Sequence, residues 1–529
     1  MASPSVLPSL GEDWNYYQSL LPTKSTPYFI LTFMVMIIAY AWTSSIDSSV
    51  KKLPLVNPAG FFSKNKVKQE YRRSARDILE KAKKLYPDQP YRMITDFGEV
   101  VILPSKFMDE IRNEPKLSFV GGIAQDGTIH IPGFEPFREL SDPSALVQTM
   151  TKKQLTHFLS KVTEPLSEEG SRAISLNFGE SKEWRELALR PAILDIIARM
   201  SSRVFLGEEL CQNEDWLEIT KDYTVTFSGA AFELVAYPVA LRKFVHWFLP
   251  ICKALRAKSA RAQAVIAPVI AKRVELRRAA QEAGEEIPYF NDALDWLDQE
   301  AKAKGANYSP DSIQLLLSFV AIHTSSDLLG QVILDICQHP EIIPEIREEI
   351  VRELRANGWK KTTLYNMKLL DSIMKESQRL KPIGSAIIRR SVTEDVRLSN
   401  GLLLKKGMRI HMDGLRMQDE KVYENANEWD PKRFLNMRTQ AGKEHMAQFV
   451  TTSADHFGFG HGEHACPGRF FASNELKVAL CHLLLKYDWE LAPGTDVKPL
   501  MRGFSTLTNP TAKVLIKRRE NVELDIDSI

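Results

Sequence analysis

Cysteine is scarce in this chain: five in 529 residues, at positions 211, 252, 337, 466 and 481. An odd number spread so widely argues against a disulfide framework and points to a reducing compartment for most of the chain. An excess of either charge is also lacking. Sixty-nine basic residues against 67 acidic ones leave a formal charge of +2, which gives no basis for a nucleic-acid partner. No internal repeat or low-complexity tract is visible. The apolar content of 44% and charged content of 26% are those of an ordinary folded protein.

Long apolar runs are rare, with one clear exception. Between Lys24 and Asp47 no residue is charged, and Tyr28 to Trp42 reads YFILTFMVMIIAYAW. About 20 apolar residues span a bilayer, and this window reaches that length with its Ser and Thr margins. A cleaved signal peptide is disfavoured by Glu12 and Asp13 ahead of the stretch, by its late start and by the missing A-x-A site. The expectation is a luminal segment over 1–26, a single transmembrane anchor over 27–46 and a Pro-containing hinge over 47–63 around LPLVNP. The main body then covers 64–529. Lys51, Lys52, Lys64, Lys66, Lys68, Arg72 and Arg73 follow the anchor, so the positive-inside rule puts the body in the cytosol. A second apolar stretch, Val225 to Leu241, carries Glu233 and Pro238. A central glutamate is costly in lipid, so a cavity wall or a surface patch dipping into the membrane explains it better than a span.

The body reads as mainly α with a small β portion. KVKQEYRRSARDILEKAKKLY is an amphipathic helix that ends before Pro87. YRMITDFGEVVILP is two β runs split by Asp96-Phe97-Gly98. From about Asp142 to Lys381 apolar residues recur at helical spacing. DSIQLLLSFVAIHTSSDLLGQVILDICQHP is one long helix, apolar nearly all round and so expected to be buried. Short strands return after Arg389 with an Asn400-Gly401 turn, and a last helix begins just after Cys466.

The stretch with the most chemistry is DHFGFGHGEHACPGRFFA, from Asp455 to Ala472. Four readings compete for its single cysteine. Zinc would recruit His456, His461, His464 and Cys466, but structural zinc sites pair two cysteines closely, and the next one is Cys481. A catalytic thiol needs a base and an orienting carboxylate, which the spacing does not identify. A plain buried cysteine leaves the glycines at 458, 460, 462 and 468 unexplained. A thiolate ligand to haem explains them, because backbone must lie close to a flat porphyrin and glycine allows that approach. Amide N–H groups at the start of the following helix would stabilise the thiolate.

The run Phe459-Gly460-x-Gly462-x-His464-x-Cys466-x-Gly468 resembles the signature of the cytochrome P-450 superfamily. Glu376 and Arg379 in KESQRL resemble its E-x-x-R pair, although a surface i,i+3 ion pair would look the same. Arg433 in DPKRF matches the arginine that joins that pair in the family. The resemblance covers essentially the whole chain and implies haem b, ligated by Cys466, with Phe459, Gly460 and Gly468 around the sulfur. It implies Arg390 and His464 as propionate partners, with Lys153 or its neighbour Lys152 as a further contact, although solvated surface lysines read equally well. It also makes the long helix the one crossing the distal face. There the family's acidic-Thr pair is replaced by His323-Thr324, followed by Ser325. Thr324, with His323 or Ser325, would manage protons, with a merely satisfied helix histidine the competing reading of His323. A His-Thr pair resembles fungal microsomal members of the ent-kaurene oxidase-like group, in secondary metabolism.

The resemblance implies a monooxygenase of the endoplasmic reticulum membrane. It would draw NADPH-derived electrons from a cytochrome reductase, with cytochrome b5 as an additional donor. The segments that face substrate in the family read SFVGGIAQDGTIHIPGF, TVTFSGAAFELVAYPVAL, LLSFVAIHT and PIGSAII here, greasy and almost without charge. They suit an apolar, terpenoid-like substrate. Two other classes stay open: a haem-thiolate isomerase or cyclising enzyme needing no dioxygen, and a non-enzymatic haem- or zinc-binding scaffold.

Overall fold

Apolar residues at three- and four-residue spacing fold as helices that turn those residues inward. In the computed structural model, which describes residues 31–35, 48–60, 63–124 and 128–529, the first long helix, α1 (Lys64–Leu85), buries Val67, Tyr71, Ala75, Ile78, Leu79 and Ala82. The chain divides into two units, residues 1–53 and 54–529. Of the expected anchor only residues 31–35 are described, a helical stretch with Leu31, Phe33, Met34 and Val35 exposed. The rest of the anchor and the luminal segment lie outside the described residues.

In the second unit α1 is followed by α2 (Leu159–Phe178), α3 (Leu189–Leu206), α4 (Glu214–Leu234), α5 (Val239–Val245) and α6 (Pro250–Ala283). Then come α7 (Pro310–Gln338), α8 (Lys368–Leu380) and α9 (Arg469–Lys486). The strands are β1 (Tyr91–Thr95), β2 (Gly98–Leu103), β3 (Leu117–Ser118), β4 (Arg185–Ala188), β5 (Ala386–Val392) and β6 (Arg409–Asp413). Near the C-terminus lie β7 (Tyr487–Leu491), β8 (Leu500–Arg502), β9 (Ser505–Leu507) and β10 (Lys513–Arg518). The helical body with small sheets is the one expected.

The largest sheet has the order β1-β2-β6-β5-β3. The expected hairpin closes with Thr95 opposite Gly98, where Gly98 adopts φ +107°. The register of β5 on β6 shifts between Ile387 and Arg390, and Ile388 inside that bulge has φ +54°. A β-branched residue in the left-handed region is strained, and a bulge re-aims the side chains that follow it. Arg390 is one of them. The residues of LPLVNP are less slack than a free hinge: Leu55 bridges to Arg92, and the Asn57 amide bonds the backbone of Ile94 on both sides.

Helix α7 is the one helix among the described residues long and apolar enough to cross a membrane, yet 67% of its most apolar window is buried in protein. Its middle departs from the expected all-round burial. Val320 is 46% exposed and Thr324 is exposed too, one turn apart on one face, while Ile322, Ser325 and Ser326 beside them are buried. Residues at i and i+4 share a face, so an open space lies in front of this strip.

Candidate active site

Cys466 sits at the end of a tightly bound loop. Its N–H donates to the Phe459 carbonyl at 2.7 Å, and Gly460 adopts φ +71° at the turn between them. A Cβ on Gly458 would fall 2.4 Å from Gln378, and one on Gly462 would fall 2.4 Å from Asn113. Those two glycines therefore serve close packing against the protein, a different reason from the cofactor approach expected. Gly468 differs: a Cβ there would meet nothing nearer than Thr151 at 3.9 Å, so its open side is free for another group. Burial pushes the Cys466 thiol up, while the N–H groups of Gly468 and Arg469 and the Arg469 charge pull it down. Arg469 donates to the carbonyls of Val450 (3.1 Å) and Cys466 (2.9 Å). It lies three residues past the cysteine, and the sequence reading passed over it.

Behind this loop, α8 carries the Glu376–Arg379 pair. Arg379 Nε and Nη2 each reach the Glu376 carboxylate at 2.8 Å, and both side chains are 0% exposed. A surface ion pair is thereby excluded. Arg379 also donates to the carbonyls of Met417 and Ala426, and Arg433 Nε meets Glu376 at 3.0 Å. The three residues form one knot whose remaining donors bind carbonyls of the segment 417–428. A buried pair so fully hydrogen-bonded fixes geometry.

Arg390 is 3% exposed and faces no carboxylate among the described residues. Its Nη1 donates to the Arg389 carbonyl at 2.9 Å and its Nε has no partner. Burial alone lowers its pKa to about 10. The charge of Arg390 acts on His464, as does that of Lys152, and both add to the burial that lowers the imidazole. Lys153 goes elsewhere, toward Glu300 at 3.8 Å with its side chain 68% exposed. Lys152 is the lysine on the cysteine-loop side, its ammonium 3.5 Å from the Glu463 carbonyl. The two lie in a π-helical turn, Thr151–Leu155.

The three consecutive residues expected to manage protons point three ways. Thr324 alone reaches the open strip, its hydroxyl donating to the Val320 carbonyl at 2.7 Å. His323 turns toward α4, its Nε2 3.1 Å from the Lys221 carbonyl, in a pocket with Arg190, Asp327 and Asn509. That arrangement matches the satisfied helix histidine, and burial holds its pKa down. Ser325 is buried and faces the Glu475 carboxyl on α9. This contact brings α7 against α9 two turns after the latter's start, about 9 Å from its first residue at 1.5 Å per residue. The contact thus ties the helix that follows Cys466 to the helix that carries Thr324.

Three of the four apolar segments meet through aromatic rings. Phe227 stacks on Phe137 at 4.5 Å and contacts Phe134 at 4.7 Å and Phe319 at 5.0 Å. Ile383 is 50% exposed and Phe119 is 38% exposed. Phe119 lies under the Arg390 guanidinium at 5.9 Å.

Such a site belongs to the class of helical enzymes built around a bound cofactor. A planar, dianionic haem fits it: a buried guanidinium short of an anion, a thiol ringed by N–H donors, and a glycine with an open side. Comparison with known proteins makes the class specific. The cytochrome P450 family profile matches residues 144–518. Cytochrome P450 monooxygenase hepE of Aspergillus oryzae is 45% identical over 517 residues, covering 97% of this chain and 94% of its own. Cytochrome P450 monooxygenase 2 of Gibberella fujikuroi is 44% identical over 523 residues, covering 98% and 99%. TRI1 of Fusarium sporotrichioides is 40% identical over 478 residues, covering 90% and 87%. Retinoic acid-bound cyanobacterial CYP120A1 has the same fold at 18% identity and a TM-score of 0.57, over 84% of this chain and 94% of that one. The chain belongs to the cytochrome P450 family. It is a haem-dependent monooxygenase, with a cysteine-ligated haem and electrons supplied by a reductase.

Proposed function

We propose that Cys466 is the thiolate ligand and that this enzyme oxidises an apolar, terpenoid-like intermediate of fungal secondary metabolism. When bound, the haem supplies the activation of dioxygen and the insertion of one oxygen atom into an unactivated C–H bond. The chain's own residues bind, orient and move protons. The observation that carries the reading is Arg390, a buried cation left without an anion beside the cysteine loop, which a haem carboxylate would satisfy. His464 and Lys152 are the further donors on that side. Thr324, with its hydroxyl on the open strip, is the proton-handling residue, and Phe459 keeps water from the sulfur. Glu376, Arg379 and Arg433 hold the segment that leads to the loop.

The aromatic lining of Phe137, Phe227 and Phe319, with Val320 and Ile383, supports the substrate class: it offers area and ring faces but no charge. Membrane attachment is part of the same reading, with the body on the cytosolic face of the endoplasmic reticulum. There NADPH-cytochrome reductase, and cytochrome b5 as an additional donor, would meet it. Its support is the uncharged run before Asp47 together with the exposed Leu241, Phe244, Trp247 and Phe248 around α5.

The deciding experiment uses Cys466→Ala in the full chain. The reduced, carbon monoxide-bound wild type is expected to show the red-shifted Soret band of thiolate ligation, and the variant to lose it. Retention of the band in the variant would overturn the ligand assignment. Co-expression with a reductase and a panel of terpenoid scaffolds, read by product analysis, tests the substrate class.

A further inference from the structure

Lys375 occupies an unusual environment for an ammonium. It is 1% exposed in the middle of α8, and its three N–H donors are directed at three backbone carbonyls: Met446 at 2.9 Å, Gln448 at 2.7 Å and Thr451 at 2.9 Å. The Phe434 ring lies 5.1 Å from the same ammonium. The nearest carboxylate on its helix, Asp371, is engaged by Lys477 at 2.7 Å, by Arg438 at 2.5 Å and by the Phe449 N–H at 2.8 Å. Lys375 is thus hydrogen-bonded by main chain alone, while burial pulls its pKa down to about 7 and the Asp371 charge opposes that shift. Placing a charge here is costly unless every donor is satisfied, and every donor is.

The residues between and just after the held carbonyls are those that touch the cysteine loop. Phe449, next to Gln448, sets its ring edge-on against Phe459 at 4.9 Å. Val450 receives Arg469 Nε at 3.1 Å, and the same guanidinium holds the Cys466 carbonyl at 2.9 Å. Thr452, after Thr451, bonds His461 at 3.0 Å. Phe459 in turn accepts the Cys466 N–H at 2.7 Å. One ammonium therefore fixes a short turn, and that turn braces the loop at Phe459, His461 and Arg469.

We propose that Lys375 is a positioning residue for the thiolate, acting through Phe449 and Val450 to hold Phe459 and the backbone around Cys466 in place. The inference rests on Cys466 being the ligand. Its role differs from that of the neighbouring Glu376–Arg379 pair, whose donors go to residues 417–428. The side chains of α8 grip two successive stretches of the same long segment.

The experiment compares holoenzyme variants Lys375→Met, Phe449→Leu and the double variant, with Cys466→Ala as the ligand control. Methionine keeps the length and apolar stem and removes the donors. Three quantities are read: melting temperature, haem midpoint potential, and the rate at which the reduced carbon monoxide complex loses its thiolate band. Lys375→Met is expected to speed that loss at least about tenfold, the ratio given by about 1.4 kcal/mol, and to shift the potential. Phe449→Leu is expected to move both in the same direction with little change in melting temperature. The double variant is expected to match Lys375→Met, because the two residues act on one path. A lower melting temperature with potential and band loss unchanged overturns the proposal, as do additive effects. If Lys375→Met does not take up haem, Phe449→Leu decides alone, and an unchanged potential and band overturn it. Survival of the band in Cys466→Ala is a separate failure, that of the ligand assignment.

Discussion

Glu475 lies wholly inside the protein, its Oε1 accepting from Ser201 at 2.5 Å while Ser325 faces the same carboxyl. No cation among the described residues offsets its burial, which raises its pKa to about 8. In the unfolded chain the group ionises at the ordinary value of about 4.3. Between those two values the folded protein holds a proton that the unfolded chain has released. Its contribution to stability therefore falls as pH rises through that window and levels off above about 8. Glu475→Gln is neutral at every pH and nearly isosteric, so it removes this dependence. The melting temperature of the variant relative to wild type is expected to rise steadily from about pH 5 to pH 8, each unit of the shift being worth about 1.4 kcal/mol. A difference independent of pH would mean that Glu475 is ionised in the fold. At this scale the sequence shows Cys466 plainly, because 18 contiguous residues concentrate the chemistry around it. At 323–325 adjacency in sequence becomes a rotation of about 100° per residue on a helix, so the three side chains meet different surroundings. The sequence hides Lys375 altogether, since the acceptors are main-chain carbonyls that every residue carries.

Pattern and packing part company among the elements. The knot of Glu376, Arg379 and Arg433 was legible because its members keep a fixed spacing on one helix and in one short motif. The hairpin at Asp96-Phe97-Gly98 and the length of α7 were legible from period and turn chemistry. The open strip on α7 was expected only through the family resemblance, since an apolar helix facing a cavity and one facing a core have the same composition. The bulge at Ile388 was not legible, because no breaker residue announces it. A contact of the same hidden kind fastens the end of α4. The ring of Phe232 lies between the guanidinium groups of Arg72, at 4.3 Å, and Arg502, at 4.9 Å. Arg72 comes from α1 and also pairs with Asp96 at 2.8 Å, while Arg502 ends β8. The β8–β9 hairpin is bonded to Ile383 and Ser385 through Thr506 and Phe504, and its tip docks on α1 where Gly503 donates to the Arg72 carbonyl at 2.9 Å. Phe232 thus ties α4, and the exposed stretch after it, to a braced frame. Cation–π contacts contribute about 0.5–2 kcal/mol each. Phe232→Ala is expected to raise amide hydrogen exchange over residues 228–249 severalfold and to leave the thiolate band intact. Unchanged exchange there would show that the two arginines do not restrain α4.

For the molecule as a whole, the proposed membrane attachment can be traced to particular features of the chain. Net charge contributes little, at +2 over 529 residues. Two features remain: the uncharged N-terminal run in residues 1–53, and the patch after α4, where Val239 is 53%, Leu241 50%, Phe244 68%, Trp247 58% and Phe248 84% exposed. So many large apolar side chains within ten residues form an exposed patch of the kind that marks an interaction surface. Basic Lys243 and Arg256 lie beside them, Arg256 over the Trp247 ring at 4.7 Å, the mix of aromatic and cationic groups suited to lipid headgroups. Inserting a large apolar side chain is worth about 1.5–3 kcal/mol, so three of them can hold the catalytic body on a bilayer without a span. Removing residues 1–53 is therefore expected to weaken binding to anionic phospholipid vesicles but leave it measurable by flotation. Adding Phe244→Ser, Trp247→Ser and Phe248→Ser to the shortened chain is expected to lower the partition coefficient by at least about 100-fold, since every 1.4 kcal/mol is tenfold. The same three substitutions in the full chain should leave flotation complete if the N-terminal run is the proposed anchor, since about 20 apolar residues suffice to span a bilayer. If the shortened chain does not float at all, or floats equally well with and without the three side chains, the patch faces a different partner.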